Sequence, residues 1–293
     1  MIDRRTFIAA ALAAGACARG VPAAPRPDDM AARFEAIRAT LGPGGRLGVA
    51  ALDTGTGREL RFDADSLYAM ASTFKLALAG RVLALADSGE LSLEEKLPFA
   101  PGDPLPNSPV VERYFSEGGL SVVRLASAII ELSDNSAANM LLRRTGGPEA
   151  LTRFIRSCGD PVTRLDRFEM ELNSNLPDDP RDTTSAAAMA GLARTLVLGD
   201  RLSEPSRRHL STWLTKSVPG ADRLKAGLPS PPWLVGHKTG TGANGGFNDV
   251  AVAWRSGRPP VVVACYQSGG NADETIRAAA HAAVGRLVAE RFA

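Results

Sequence analysis

The 293-residue sequence predicts an α/β protein of the α+β type: a five-stranded antiparallel sheet built from both chain ends, covered by terminal helices, with an inserted all-α lobe. Three observations carry this expectation. Alternating, strand-like patterns occur only near the two ends, at 46–63 and 233–267. Apolar residues between them recur at helical spacing. A last amphipathic stretch, 272–292, closes the chain as a helix.

Taken in order, Asp28 and Asp29 can cap a helix running to about Thr40, and the glycines of 42–45 end it. "RLGVAALD" (46–53) alternates as a strand, "TGTG" (54–57) is turn chemistry, and "RELRFD" returns antiparallel. A helix over 72–87 stops at Gly89. Ser121 opens a second over 121–132, and a third, 137–144, stops at Gly146-Gly147. Pro148 suits the first turn of a fourth, 148–158. Two more follow at 185–198 and 204–216. The intervening 160–184 is polar, proline-bearing and aperiodic, and a loop of that length inside a domain is usually functional. Strands return at 233–240, 247–255 and 259–267.

The first 20 residues stand apart. Arg4-Arg5 precedes an apolar run from Phe7 to Ala16, too short to span a bilayer, so the segment reads as an export signal of twin-arginine type. A lipid anchor at Cys17 is the second option, on a poor site with Ala14 where leucine is usual. A Pro/Ala linker (21–27) follows. The expected division is then 28–65 plus 220–293 as an α/β lobe, and 66–219 as the all-α lobe with the long loop at 163–182. A net charge of +2 gives no electrostatic reason to expect nucleic acid or a membrane surface. Cys158 and Cys265 lie in unlike contexts and read as free thiols. His209, His237 and His281 show no metal spacing, so a zinc enzyme is not expected, and no metal or organic cofactor is implied.

Four short stretches are polar where their surroundings are not. Ser72 and Lys75 open an otherwise apolar helix three residues apart, on one face. Ser133-Asp134-Asn135 interrupts a helical region, Glu169 and Asn173 sit in the long loop, and Lys238-Thr239-Gly240 ends a strand. Each alone has a bland reading: a cap with a snorkelling lysine, a turn, a solvated loop acid, a strand end. Their order and separation change that.

Together, "STFK" (72–75), "SDNSAANMLL" (133–142), "RFEMELN" (167–173), "RDTT" (181–184) and "KTGTG" (238–242) resemble the class A serine β-lactamases over essentially the whole mature chain. Penicillin-binding transpeptidases and carboxypeptidases share the serine–lysine, Ser-Asp-Asn and Lys-Thr-Gly elements but lack the glutamate loop. The resemblance implies an exported, periplasmic or secreted monomer acting on a small-molecule β-lactam. It implies Ser72 as nucleophile, with Lys75 or a Glu169-bound water as its base. Ser133 would pass a proton to the β-lactam nitrogen. Asn135 would hold the substrate's acylamide, and the backbone N–H groups of Ser72 and Thr241 the oxyanion. Glu169 and Asn173 would activate the deacylating water. Lys238, Thr239 and Arg223 would receive the substrate carboxylate. Arg167 and Asp182 would pin the loop, and Asn139 would tie it to the helical lobe.

The sequence departs from the family pattern in places. Met170 stands where proline is usual, His237 where aspartate is common, and Asn107 where an aromatic often lines the cleft rim. Phe247 stands where many members place an arginine. Ala71 and Gly242 occupy positions that carry a disulfide in some carbapenem-hydrolysing members. The alternatives are a carboxypeptidase or esterase of the same fold, and a penicillin sensor that is acylated without turning over.

Overall fold

The computed structural model describes residues 29–292. The expected export signal, Cys17, the linker and Asp28 lie outside the described residues. The first helix, α1 (Met30–Ala39), is capped by Asp29, whose carboxylate accepts from Ala32 N at 2.9 Å. Two strands follow, β1 (Arg46–Asp53) and β2 (Glu59–Phe62). Three more come from the far end: β3 (Trp233–Thr241), β4 (Phe247–Arg255) and β5 (Arg258–Ser268). All pairings are antiparallel, and the spatial order is β2-β1-β5-β4-β3. The first and last strands of the sequence thus meet in the middle of the sheet, where Arg46 faces Ser268 and Asp53 faces Val261.

Strand alternation sorts the two faces. Val250, Val252, Val262, Ala264 and Tyr266 join the buried cluster of the helices inserted in the middle of the chain. Their neighbours Ala251, Ala253, Val261, Val263 and Cys265 join a second cluster with Phe34 of α1 and with Val284 and Val288 of the last helix, Glu274–Phe292.

The helical body is built on α2 (Phe74–Asp87), which is apolar all round and buried on nearly every side, as a central helix must be. Gly80 lets it approach its neighbour: a Cβ there would lie 2.8 Å from Leu196 Cδ1. Around it pack α3 (Val122–Glu131), α4 (Asn135–Arg144), α5 (Gly147–Ser157), α6 (Ala186–Val197) and α7 (Glu204–Thr215). The helix expected from Ser72 begins instead as a 3₁₀ turn, Ala71–Thr73, and becomes α-helical at Phe74. Several short elements carried too few residues to show a period. They include the six-residue helix Pro109–Tyr114 and the two-residue strands Tyr68–Ala69 and Thr183–Thr184, which pair across the base of the long loop. No helix of the described residues is long and apolar enough to cross a membrane.

Candidate active site

Ser72 sits where the helical body meets β3. The backbone is forced together here. A Cβ on Gly240 would stand 2.7 Å from Met70 O and 3.1 Å from Ser72 N, so the strand passes the Ser72 turn only with glycine at that position. Asn248 of β4 secures the same turn, its amide donating to Ala69 O at 2.9 Å and Met70 O at 3.1 Å. Ala71 and Ser133 both hold positive φ, at 43° and 59°, a conformation costing non-glycine residues about 1–3 kcal/mol. Both flank the cleft, and the surrounding hydrogen bonds hold them there.

Around Ser72 the side chains converge. Lys75 Nζ lies 2.9 Å from Ser72 Oγ, 2.8 Å from Ser133 O, 2.6 Å from Asn135 Oδ1 and 2.9 Å from Glu169 Oε1. Glu169 Oε1 is 3.4 Å from Ser72 Oγ. Lys238 Nζ approaches from the sheet side and donates to Ser133 Oγ at 3.0 Å. Both lysines are fully buried. Burial pulls the Lys75 ammonium below the ordinary lysine range, while the Glu169 carboxylate pulls the other way. Lys238 is pulled down further, by burial, by Lys75 and by Arg223. The two lysines flank the Ser133 hydroxyl, which is hydrogen-bonded to both.

The long loop carries Glu169 to the cleft and is tied down from several sides. Arg167 Nε meets Asp182 Oδ2 at 2.6 Å, and the other Asp182 oxygen accepts from the backbone of Asp166 and Arg167 at 2.7 and 3.0 Å. Asn139 of α4 clamps Glu169 by its backbone, donating to Glu169 O at 2.8 Å and accepting from Glu169 N at 2.9 Å. Asn173 Nδ2 donates to Glu169 Oε2 at 2.6 Å. Asp182→Ala removes the acceptor of two backbone N–H groups, while the Arg167 guanidinium keeps Ser174 Oγ at 3.1 Å and Asp179 Oδ2 at 3.8 Å. It is expected to cost about 1–3 kcal/mol of stability for each N–H left unsatisfied. A melting temperature unchanged by Asp182→Ala would show that the pair does not pin the loop.

Asn135, at the start of α4, spends its Oδ1 on Lys75 and its Nδ2 on Pro106 O at 2.9 Å and Met170 Sδ at 3.1 Å. Met170 therefore packs at the cleft rim with its thioether against the amide. Neighbouring residues of a strand point to opposite faces. Lys238 consequently enters the cleft side, while His237 enters the opposite face and pairs with Asp249 through Nδ1 at 3.1 Å.

Arg223 is nearly buried, at 7 % exposure. Its Nη1 donates to Gly240 O at 2.9 Å and Asn248 O at 2.7 Å, and its Nη2 to Thr241 Oγ1 at 2.7 Å. The guanidinium stacks 3.5 Å from the Phe247 ring centroid, so the aromatic at 247 is the seat of the arginine at 223. Thr239 is buried and Thr241 exposed on the same strand end. Cys158 and Cys265 are free thiols, and burial pushes both up. No cluster of three His, Cys, Asp or Glu side chains among the described residues could hold a metal ion.

Sequence reasoning passed over two residues that shape this site. Asp134 caps α4 at Ala137 N, 2.8 Å, and holds the helix Pro109–Tyr114 through Val110 N and Val111 N at 2.8 and 3.1 Å. It lies inside a quoted motif, but its N-cap chemistry alone could not say which second helix it holds. Asn248 had no local signal at all.

The profile of the β-lactamase enzyme family matches residues 31–292 of the chain. β-Lactamase AST-1 of Nocardia asteroides is 42% identical over 283 residues, covering 92% of this chain and 90% of that protein. The carbapenem-hydrolyzing β-lactamase KPC of Klebsiella oxytoca is 41% identical over 248 residues, 84% of each. Among solved structures, an ancestral Gram-negative class A β-lactamase superposes with a TM-score of 0.86 at 49% identity, covering 89% of this chain and 99% of that one.

Proposed function

The chain belongs to the class A serine β-lactamase family and hydrolyses β-lactams, and from that premise we propose that the reaction runs through an acyl-enzyme on Ser72 that Glu169 clears. The single observation that carries the reading is one buried carboxylate oxygen, Glu169 Oε1, within 3.4 Å of Ser72 Oγ and 2.9 Å of Lys75 Nζ. A serine hydroxyl is a weak nucleophile at neutral pH and needs an adjacent base. Lys75 Nζ touches the hydroxyl directly, and its lowered pKa brings the neutral, base-competent amine within reach; a water held by Glu169 is the alternative base. Ser72 Oγ attacks the β-lactam carbonyl, the C–N bond breaks, and the ring nitrogen takes a proton from Ser133 Oγ. That proton is replaced along the Lys75–Ser133–Lys238 chain. The oxyanion binds the backbone N–H groups of Ser72 and Thr241.

Deacylation reverses the roles. Glu169 removes a proton from water as it attacks the ester, the acyl C–O bond breaks, and Ser72 Oγ takes back a proton from Glu169 or Lys75, while Asn173 orients the water. Asn173 Oδ1 is buried and has no protein partner among the described residues, which suits it to accept the water's second hydrogen. The substrate carboxylate is received by Lys238, Thr239 and Thr241. Arg223 acts on it from behind the strand, through the Thr241 hydroxyl and its positive field. Asn135 Nδ2 donates to the acylamide carbonyl in place of Met170 Sδ, the weaker of its two acceptors. The division into a 66–219 helical lobe and a sheet lobe of 28–65 plus 220–293 sets this chemistry at their seam. Export by residues 1–20 to the periplasm or medium, as a monomer, completes the proposal, with β-lactam resistance the outcome.

Lys238 gives the reading a pH signature. Its pKa is depressed by burial, Lys75 and Arg223, so its charge is present below that value and lost as pH rises through it. The free-enzyme profile, kcat/KM, is expected to fall on an alkaline limb below the ordinary lysine range of about 10.4. A bound carboxylate favours the charged form, so the kcat limb lies higher. Lys238→Arg carries its limb out of range, since a guanidinium stays charged. An alkaline limb identical in Lys238→Arg and the parent protein would remove Lys238 from carboxylate binding.

The experiment that tests the whole reading mixes purified protein with a penicillin and follows ring hydrolysis and intact mass together. Steady turnover is expected. A stable stoichiometric adduct would favour the sensor, and hydrolysis of a D-Ala-D-Ala peptide in preference to penicillin would favour the carboxypeptidase.

A further inference from the structure

Beyond Asn173 the long loop loses its apolar footing. Leu176 is 52 % exposed, and Pro177 and Asp178 are exposed beside it. The segment overhangs a cavity of about 520 Å³ bounded by Arg46, Leu67, Arg181 and Ser268, which neither Ser72 nor Glu169 lines. Packing therefore does not set the position of this stretch, and hydrogen bonds must.

Those bonds form a reciprocal clasp between two asparagines. Asn175 Nδ2 lies within hydrogen-bond distance of Ala243 O at 2.9 Å, Asn244 O at 3.0 Å and Ser268 Oγ at 3.1 Å. In return Asn244 Nδ2 donates to Ser174 O at 3.2 Å and Asn175 O at 3.1 Å. Both residues hold positive φ, 42° and 49°, which asparagine tolerates better than other side-chain-bearing residues. The hairpin side is anchored in turn, since Gly269 N donates to Asn244 O at 2.8 Å. Two residues upstream, Asn173 O accepts from Ala243 N at 2.9 Å, while the Asn173 side chain donates to Glu169 Oε2 at 2.6 Å. The clasp thus reaches the base in one step through Asn173. It also joins the base's loop to the hairpin that carries Thr241.

We propose that Asn175 and Asn244 are positioning residues for deacylation, clasping the loop to the β3–β4 hairpin so that Glu169 and Asn173 keep their distance from the Ser72 ester. The inference rests on the reading of Glu169 as the deacylating base. On the Lys75 route the proton transfers of acylation run through Lys75, Ser133 and Lys238, whose contacts come from α2, the α3–α4 connection and β3 and do not pass through the clasp, and Thr241, the oxyanion donor, is held by its own pairing with Phe247 in the β3–β4 ladder. Opening the clasp therefore slows one half-reaction and spares the other.

The test compares Asn175→Gly, Asn244→Gly and the double variant, since glycine keeps the positive φ and removes only the amide. The substrate is a penicillin that gives an acylation burst, and rates are normalised to burst amplitude, which counts folded sites. Slower deacylation lowers kcat and KM together, by roughly ten- to a hundredfold for a misplacement near 1 Å, and leaves kcat/KM unchanged. Acyl-enzyme should accumulate in the intact mass at steady state. Because either change opens the same clasp, the double variant should be no slower than the worse single variant. A merely structural role predicts a lower burst amplitude with normalised kcat and KM at parental values, and that result overturns the proposal. Effects of the two singles that multiply in the double overturn it as well. Glu169→Ala in the same assay separates the two failures. If Glu169→Ala traps adduct while the clasp variants do not, the clasp inference alone fails. If Glu169→Ala turns over like the parent, the base reading fails with it.

Discussion

Ser72→Ala is expected to abolish both penicillin hydrolysis and the mass adduct, lowering kcat by about 10⁴-fold or more. Removing the nucleophile of an acyl-transfer site leaves only binding and oxyanion stabilisation, which act as a unit with it. The protein should stay folded. Ser72 is half-buried, and its hydroxyl is bonded to Lys75 at 2.9 Å and Glu169 at 3.4 Å, neighbours that already hold each other at 2.9 Å. Losing the hydroxyl leaves Lys75 with Glu169, Asn135 and Ser133 as partners, so no buried charge is stranded. The melting temperature should move by no more than a few degrees. Parental turnover in the alanine variant would remove Ser72 as nucleophile.

Glu169→Ala is expected to split the reaction. Positioned general-base catalysis contributes about 10²–10⁴-fold, and deacylation should slow by that factor. The adduct then persists and is seen as one substrate mass added per chain. With some substrates the acylation burst should survive, because Lys75 still touches Ser72 Oγ. The substitution also removes the anion beside Lys75. Burial is then opposed only by the more distant Asp134 carboxylate, and the Lys75 pKa should fall further. Neutral Lys75 is the better base, so acylation in the variant should persist at lower pH than in the parent. A burst confined to alkaline pH would show that Glu169, not Lys75, takes the Ser72 proton.

The secondary structure was legible wherever a run was long enough to show its period. The paired strands at 46–63, the three closing strands and the long helices all stand within a few residues of their expected limits. The misplaced start of α2 is instructive. The 3₁₀ turn at Ala71–Thr73 lies where β3 passes closely at Gly240, a contact between residues far apart in the chain. The two-residue strands across the loop base have no period to read, and they form because Asp182 and Met70 bring them together through Met70 N and Asp182 O at 2.8 Å.

The candidate site divides in the same way. Spacing three apart on a helix put Ser72 beside Lys75, and their contact is local. The partners of Lys75 are not local: Ser133 and Asn135 lie 58 and 60 residues on, and Ser133 meets Lys238 across 105. Motif order named those residues, and the fold brought their atoms within reach. Arg223 shows the limit most clearly. The resemblance gave it a role toward the substrate carboxylate, and only the fold shows its surroundings: its fork is spent on two carbonyls and the Thr241 hydroxyl over the Phe247 ring.

By itself, then, the sequence determined the fold class, the family and the residue types available for acyl transfer, because periodicity, caps and motif order are properties of neighbouring residues along the chain. Tertiary structure alone decided which of those groups are desolvated, which are paired, and what holds the loop. Burial of Lys75 and Lys238, the hidden fork of Arg223 and the Asn175–Asn244 clasp depend on distances between segments separated by tens to hundreds of residues. Charge, pKa and hydrogen bonding respond to that surrounding space, and a linear sequence does not contain it.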